Sequence, residues 1–199
     1  MDNVLNPKLA EAKDNKRIVY FADAVHCVWG AFIARIWCIA RVFIPTPSGR
    51  FRYNVLGCIN AITHELVTVC NTLYINALSV IELLEKIYEK HKNDTLPVSI
   101  FLDNAKYQHC SVVKNKAAEL GIELVFLPSY SPNLNLIERL WKWLKKDSLN
   151  CKYYDSFQKF TEAIDNSLNK VTNGDVKDEL DTLLSLKFQS FDSSYYNRA

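Results

Sequence analysis

Three carboxylates carry the chemistry this sequence offers. Two of them close short apolar runs in the same way: IVYFAD (18–23) stops on Asp23, and VSIFLD (98–103) stops on Asp103. The third, Glu138, stands in SPNLNLIERLWKW (131–143), followed by Arg139, Lys142, Lys145 and Lys146 before the next acid, Asp147. Taken alone, each has a plainer reading. An aspartate at a strand end serves as a turn former or cap, and a first-turn glutamate is favoured by the helix dipole and pairs with a lysine four residues on. Taken together they read differently. Two aspartates at the tips of neighbouring parallel strands repel unless a proton or a metal ion sits between them. Three carboxylates with few neutral ligands make a hard, oxygen-rich site suited to Mg²⁺ or Mn²⁺ rather than zinc. Two such ions about 4 Å apart can activate a nucleophile and stabilise the leaving oxygen of a phosphodiester. Cations beside them can hold a phosphate backbone.

Such a site needs elements that bring its members together. IVYFAD and VSIFLD are continuously apolar and rich in β-formers, the pattern of strands buried on both faces. IELVFLP (122–128) is a third strand of this kind, and YNVLGCINAI (53–62) and ELVTVCNTLY (65–74) form two more around a turn at Thr63-His64. Residues 29–52, with Trp29, Trp37, four arginines (Arg35, Arg41, Arg50, Arg52) and the turn PTPSG, read as a hairpin or extended excursion. Its arginines among aromatics suit a DNA or partner contact as well as an ordinary sheet edge. Helical periodicity runs from Asn76 to Lys92 and over 111–120, the latter ending at Gly121. Further helices span roughly 156–169 and 175–187. The helix carrying Glu138 is expected to begin at Ser131 as N-cap with Pro132 in its first turn. Its stripe of Ile137, Leu140, Trp141 and Leu144 faces the sheet, and Asn135, Glu138, Lys142 and Lys145 share the opposing polar arc. Antiparallel strands followed by strand–helix units predict one α/β domain, a mixed five-stranded sheet with helices on its faces. Between Asp103 and Glu138 lie 34 residues, room for one helix, one strand and a turn. A helix entering there can lean its polar face over the end of the Asp103 strand.

The chain of 199 residues is the size of one domain, with 49% hydrophobic and 23% charged residues and a net charge of +2. The four cations of residues 139–146 make a local basic patch rather than a basic protein. Six scattered cysteines without a CxxC pair argue against zinc and a disulfide framework, and fit a reducing, cytoplasmic compartment. The apolar stretch at 27–44 is interrupted by Arg35 and Arg41, which excludes a membrane span. Residues 1–16 read as a polar lead-in or linker, 17–190 as the folded domain, and 191–199 as a frayed tail.

FLDNAKYQHC (101–110) followed by LPSYSPNLNLIERLW (127–141) resembles the second and third acidic blocks of the mariner-type insertion-sequence DDE transposases. The 34-residue spacing and SGRFRYNVLGCINA (48–61) are similar to that family too, and the likeness covers residues 17–150. The resemblance implies a ribonuclease H-like catalytic domain with Asp23, Asp103 and Glu138 as catalytic, metal-holding triad and Mg²⁺ or Mn²⁺ in a two-metal site. It implies cleavage of DNA at transposon ends by metal-activated water, and attack of the freed 3′-hydroxyl on target DNA, often at TA. Lys106, Asn135, Arg139, Lys142, Lys145 and Lys146 would contact that DNA, with Asn104 and His109 supporting the carboxylates. His26 is a further candidate beside Asp23. For any one lysine or histidine, a solvated surface or a packed ring is the plainer reading. The family further implies a bacterial protein, nucleoid-associated when bound to DNA, with a homodimer in the active complex. Ala24 stands where many relatives have a second acid, and Leu136 where they have proline. No end-recognition helix-turn-helix fits before residue 17, so the expectation is a catalytic domain alone: an excised piece, one frame of a two-frame element, or a decayed copy. Two other readings stay open, a remnant that binds DNA or a partner and inhibits transposition, and a ribonuclease H-like enzyme acting on RNA–DNA hybrids.

Overall fold

The computed structural model describes residues 2–30, 51–128 and 134–186, with the isolated positions 39 and 43. Five strands, β1 (Ile18–Val28), β2 (Arg52–Asn60), β3 (Leu66–Asn71), β4 (Val98–Leu102) and β5 (Ile122–Phe126), form one sheet in the order β3-β2-β1-β4-β5. β1, β2 and β3 are antiparallel neighbours, while β4 runs parallel to both β1 and β5. This is the mixed five-stranded sheet that the run of strands predicts.

Alternation along the strands divides the core into two layers. Tyr20, Ala22, Leu56, Cys58, Ile100 and Leu102 face one side, under α2 (Ala77–His91) and α3 (Ser111–Glu119). Val19, Phe21, Val25, Val55, Ile59 and Phe101 face the other, under α1 (Asp2–Lys13), α4 (Ile137–Ser148), α5 (Phe157–Asn173) and α6 (Lys177–Leu183). Local chemistry sets several boundaries. The Asn76 side chain accepts from the amides of Leu78 and Ser79 and caps α2. Gly121, at φ 68°, turns the chain out of α3 into β5.

Three expectations are corrected. Residues 2–13, read as a polar lead-in, are a helix: Leu5, Leu9 and Ala12, at offsets of 0, 4 and 7, are buried in the α4–α5 layer. Lys8 pairs with Glu123 at 2.6 Å, and Arg17 bonds Glu11, Ser99 and Glu123, fastening α1 to the sheet. β1 does not stop at Asp23 but runs to Val28, because AVHCV continues the pairing with β2 down to Val28 opposite Arg52. Finally, α4 begins at Ile137, later than a start at Ser131 and Pro132 would place it.

Ser131, Pro132, Arg35, Trp37, Cys38, Arg41, Arg50, the PTPSG turn and the tail 187–199 lie outside the described residues. The ends of the 29–52 excursion are seen: Trp29 N donates to Phe51 O at 2.9 Å, closing the β1–β2 ladder. The five described cysteines are free. Among the described residues no helix is long and apolar enough to cross a membrane.

Candidate active site

Asp23 owes its position to a mismatch in strand length. β1 pairs with β4 only from Ile18 opposite Val98 to Phe21 opposite Phe101, and β4 ends at Leu102. Extending that register by two residues sets Asp23 abreast of Asp103. Both carboxylates fall on the strand face that carries Val19, Phe21 and Phe101, the face covered by α4. On the other side Asp23 is paired with Gly57 of β2.

α4 comes close over this point because Gly57 has no side chain. A Cβ there would lie 2.4 Å from Trp141 Cη2, 2.8 Å from Trp141 Cζ2 and 3.1 Å from Ile137 Cδ1. Ile137, Leu140, Trp141 and Leu144 are buried as the helical stripe requires, which turns Glu138, in the first turn, toward the aspartates.

Electrostatics show that the three acids share one neighbourhood. Burial pushes the Asp23 carboxyl up to about 7, and the charges of Asp103 and Glu138 add to the rise. Its backbone neighbour Ala24 opposes it, and so, weakly, does the nearby Trp141 indole, whose N–H makes no hydrogen bond of its own. Glu138 is also raised, by burial and by Asp103, with Lys142 acting against them. Burial and the charges of Asp103 and Asp23 push the Tyr107 phenol up to about 12. Among the described residues, none of the three acids forms a salt bridge, and Asp103 Oδ1 is buried without a hydrogen-bond partner.

Among the described residues, no three His, Cys, Asp or Glu side chains are already gathered closely enough to hold a metal ion. The donor set nonetheless fits a hard divalent cation. It is all oxygen, without an ion pair to any cation among the described residues, and one buried oxygen is left over. Carboxylates without a counter-ion settle apart, because each raises the cost of ionising the next.

The flanking candidates divide. Asn104 is exposed, donates to Leu127 O and accepts contact from His109 Nε2 at 2.9 Å, while the His109 ring stacks on Phe126 at 3.8 Å. These two residues fasten the loop after Asp103 to β5. His26 is exposed and bonds Asn54 Oδ1 through Nδ1 at 2.7 Å. Lys106, Lys142 and Lys146 are exposed and Lys145 is half-buried. Two further candidates for DNA contact are engaged within the protein. Asn135 precedes the helix and is only 4% exposed; its Nδ2 donates to Ala22 O at 3.1 Å, bracing β1 beside Asp23. Arg139 turns toward the chain after α6, donating to Ser185 O at 2.6 Å and Leu183 O at 3.4 Å.

Sequence reasoning passed over Gly57 as a clearance and Trp141 as a neighbour of Asp23. It also passed over Gln108, fully buried with both amide atoms unpartnered, five residues after Asp103. Gly57 had a signal, a lone glycine inside a strand. The five unpartnered buried polar atoms among the described residues belong to Asp103, Gln108, Asn135 and Trp141, so unsatisfied polarity collects around the carboxylates.

The model of the DDE superfamily endonuclease family matches residues 19–161, well over half of the chain. No curated protein matches it in sequence. Among solved structures, the Mos1 transposase paired-end complex with left transposon end superposes with a TM-score of 0.62 at 12% identity, over 94% of this chain and 62% of that one. The Mos1 mariner paired-end complex with Mn gives 0.63 at 12% identity, over 96% and 62%. The Mos1 transposase catalytic domain with raltegravir and Mg gives 0.58 at 13% identity, over 96% and 94%. The chain thus spans about 62% of the length of the first two. Identities this low speak to fold, and the fold is the ribonuclease H-like one of the mariner transposase catalytic domain. The strand order and the match over residues 19–161 agree: the chain belongs to the DDE superfamily endonucleases.

Proposed function

We propose that this chain is the catalytic domain of a DNA transposase that cuts a DNA strand and joins the freed end to a target. The observation that carries this reading is that the charges of Asp103 and Glu138 help raise the Asp23 carboxyl, and Asp103 helps raise Glu138, with no salt bridge among the described residues to relieve them. Such an arrangement destabilises the apo protein and calls for a cation. Asp23, Asp103 and Glu138 would hold Mg²⁺ or Mn²⁺, whose chemistry is to activate an oxygen nucleophile and stabilise a leaving oxygen at phosphorus.

The chain's own residues supply the rest. Lys142, beside Glu138, and the exposed Lys146 and Lys106 offer charge to the phosphate backbone. Asn135 and Trp141 hold β1 and α4 in the relation that keeps the acids together. In the first step a P–O bond to a 3′-oxygen breaks and water supplies the new P–O bond, leaving a 3′-hydroxyl. In the second that hydroxyl attacks another phosphodiester and releases a 3′-oxygen, so one bond replaces another and no energy source is required. The DNA would be transposon ends and target, with two copies of the chain acting together, as the paired-end complexes of the structural neighbour suggest.

Incubation with supercoiled DNA and Mn²⁺ tests this. Nicking that Asp103→Asn abolishes is expected; equal nicking by the variant removes the assignment. Salt-sensitive DNA binding with no metal-dependent nicking would leave a DNA-binding remnant, and preference for RNA–DNA hybrid would make it a ribonuclease.

A further inference from the structure

The sheet face that carries the acids also holds a hydrogen-bond donor with nothing to donate to. Trp141 is only 4% exposed, and its indole Nε1 is buried without a partner among the described residues. A buried tryptophan ordinarily finds a partner for this N–H. The Trp29 indole has one, donating to Tyr154 O at 3.0 Å. The apolar stripe of α4 asks only for bulk at this position: Ile137, Leu140 and Leu144 supply it with no polar side-chain atom. A phenylalanine there would seal the same layer without burying a bare donor. The indole N–H therefore points to an acceptor that reaches it during function.

Gly57 shows which acceptor that is. Trp141 Cζ2, 2.8 Å from where a Gly57 Cβ would stand, is separated from Nε1 by a single ring carbon, so the N–H edge of the indole lies over this spot. Asp23 is the residue paired with Gly57 on β1. Directly opposite residues of an antiparallel ladder carry their side chains about 5 Å apart on one face. The indole is near enough to favour the charged form of the Asp23 carboxyl, yet makes no hydrogen bond to it. Trp141 also follows Glu138 by one turn of α4, which makes the two residues neighbours on the helix surface. Donor and third acid thus ride on one helix above the first acid.

We propose that Trp141 is a positioning residue for Asp23: its indole N–H donates to one carboxylate oxygen and leaves the other turned to the cation. Carboxylates that ligate metals are themselves hydrogen-bonded, and the bond fixes their orientation. The indole suits this task because it is a donor only and carries no charge. A lysine in its place would compete with the cation for the acid, whereas the neutral N–H orients an oxygen and leaves the charge for the metal. The inference rests on the metal-dependent reading of the three acids and adds a donor to it; the test separates the two.

Mn²⁺ binding to the whole chain is measured by electron paramagnetic resonance, and the indole ¹⁵N–¹H signals are followed as Mg²⁺ is added. The sequence holds four tryptophans, and the Trp141 signal is the one that Trp141→Phe removes. Mg²⁺ is expected to move that signal downfield and to slow its exchange with water, and Asp23→Asn to abolish the move. Trp141→Phe should weaken Mn²⁺ binding by about tenfold to a hundredfold. Because the smaller ring also loosens packing, a second variant carries benzothienylalanine at position 141 alone, which keeps the bicyclic shape and puts sulfur in place of the N–H. It should show the same loss of affinity with no fall in melting temperature. Parental Mn²⁺ affinity in that variant, or a Trp141 signal that Mg²⁺ leaves in place, overturns the role of the N–H. If the parent then still binds Mn²⁺ and Asp103→Asn abolishes the binding, the metal site stands without Trp141. A parent chain that binds no Mn²⁺ overturns both.

Discussion

Trp141 lies on Gly57 so closely that no other residue fits there: a Cβ would stand 2.4 Å from Trp141 Cη2. Because Gly57 pairs with Asp23, this contact fixes how near the helix bearing Glu138 comes to the strand bearing Asp23. The backbone of Gly57 has no positive φ, so alanine is excluded by space rather than by conformation. Gly57→Ala is therefore expected to destabilise the fold by about 1–3 kcal/mol through overpacking. It should reduce metal-dependent nicking more than its loss of folded protein explains. Urea unfolding with nicking assays at matched folded fraction checks this; full activity per folded molecule would show that helix height does not matter.

Asp23 makes stability depend on pH in a defined direction. Its carboxyl rises from 3.8 to about 7 on folding, so between those values the native state holds a proton that the unfolded state has lost. Stability attributable to this group is present at low pH and is lost as pH rises to about 7, by at most about 4 kcal/mol. Asp23→Asn removes the decline. Unfolding in EDTA at pH 5 and pH 8 should show the variant gaining on the parent at pH 8 while losing nicking. Parallel behaviour of the two proteins would contradict the coupling.

Arg139 and Lys142 are neighbours on one helix with opposite expected effects. Arg139→Ala removes donors from Ser185 O and Leu183 O and should lower stability by about 1 kcal/mol, with DNA affinity unchanged. Lys142→Ala should leave stability unchanged, weaken DNA binding and reduce the salt slope by about one. Melting curves and binding at several salt concentrations distinguish them.

Asn135 braces β1 from below. Asn135→Ala leaves Ala22 O without its donor in a buried setting and should cost about 1–3 kcal/mol. Asn135→Asp places a fourth carboxylate beside the others and is expected to destabilise the protein more at pH 8 than at pH 5, measured by unfolding in EDTA.

The sheet was legible in the sequence because its central strands are unbroken apolar runs, and the stripe Ile137, Leu140, Trp141, Leu144 oriented α4 correctly. Less was legible where tertiary partners decide. β1 passes Asp23 because β2 offers a partner down to Arg52, which no local pattern announces. Asn135 belongs on the polar arc only if the helix already runs there; it begins two residues later, and the side chain turns inward to Ala22. Arg139 reads as one more cation beside an acid until α6 supplies carbonyls for it. The buried stripe of α1 was hidden by polar neighbours, its three apolar contacts being widely spaced. The clearance at Gly57 depends on a side chain 84 positions away in sequence.

The central claim is that carboxylates from β1, the end of β4 and the start of α4 make one metal site. Anomalous scattering from crystals grown with DNA and Mn²⁺ measures this directly. Manganese within about 2.0–2.3 Å of oxygens of Asp23 and Asp103, with Glu138 closing on the same cluster, is the predicted result. An ordered site with the three carboxylates more than about 10 Å apart and manganese elsewhere would contradict it.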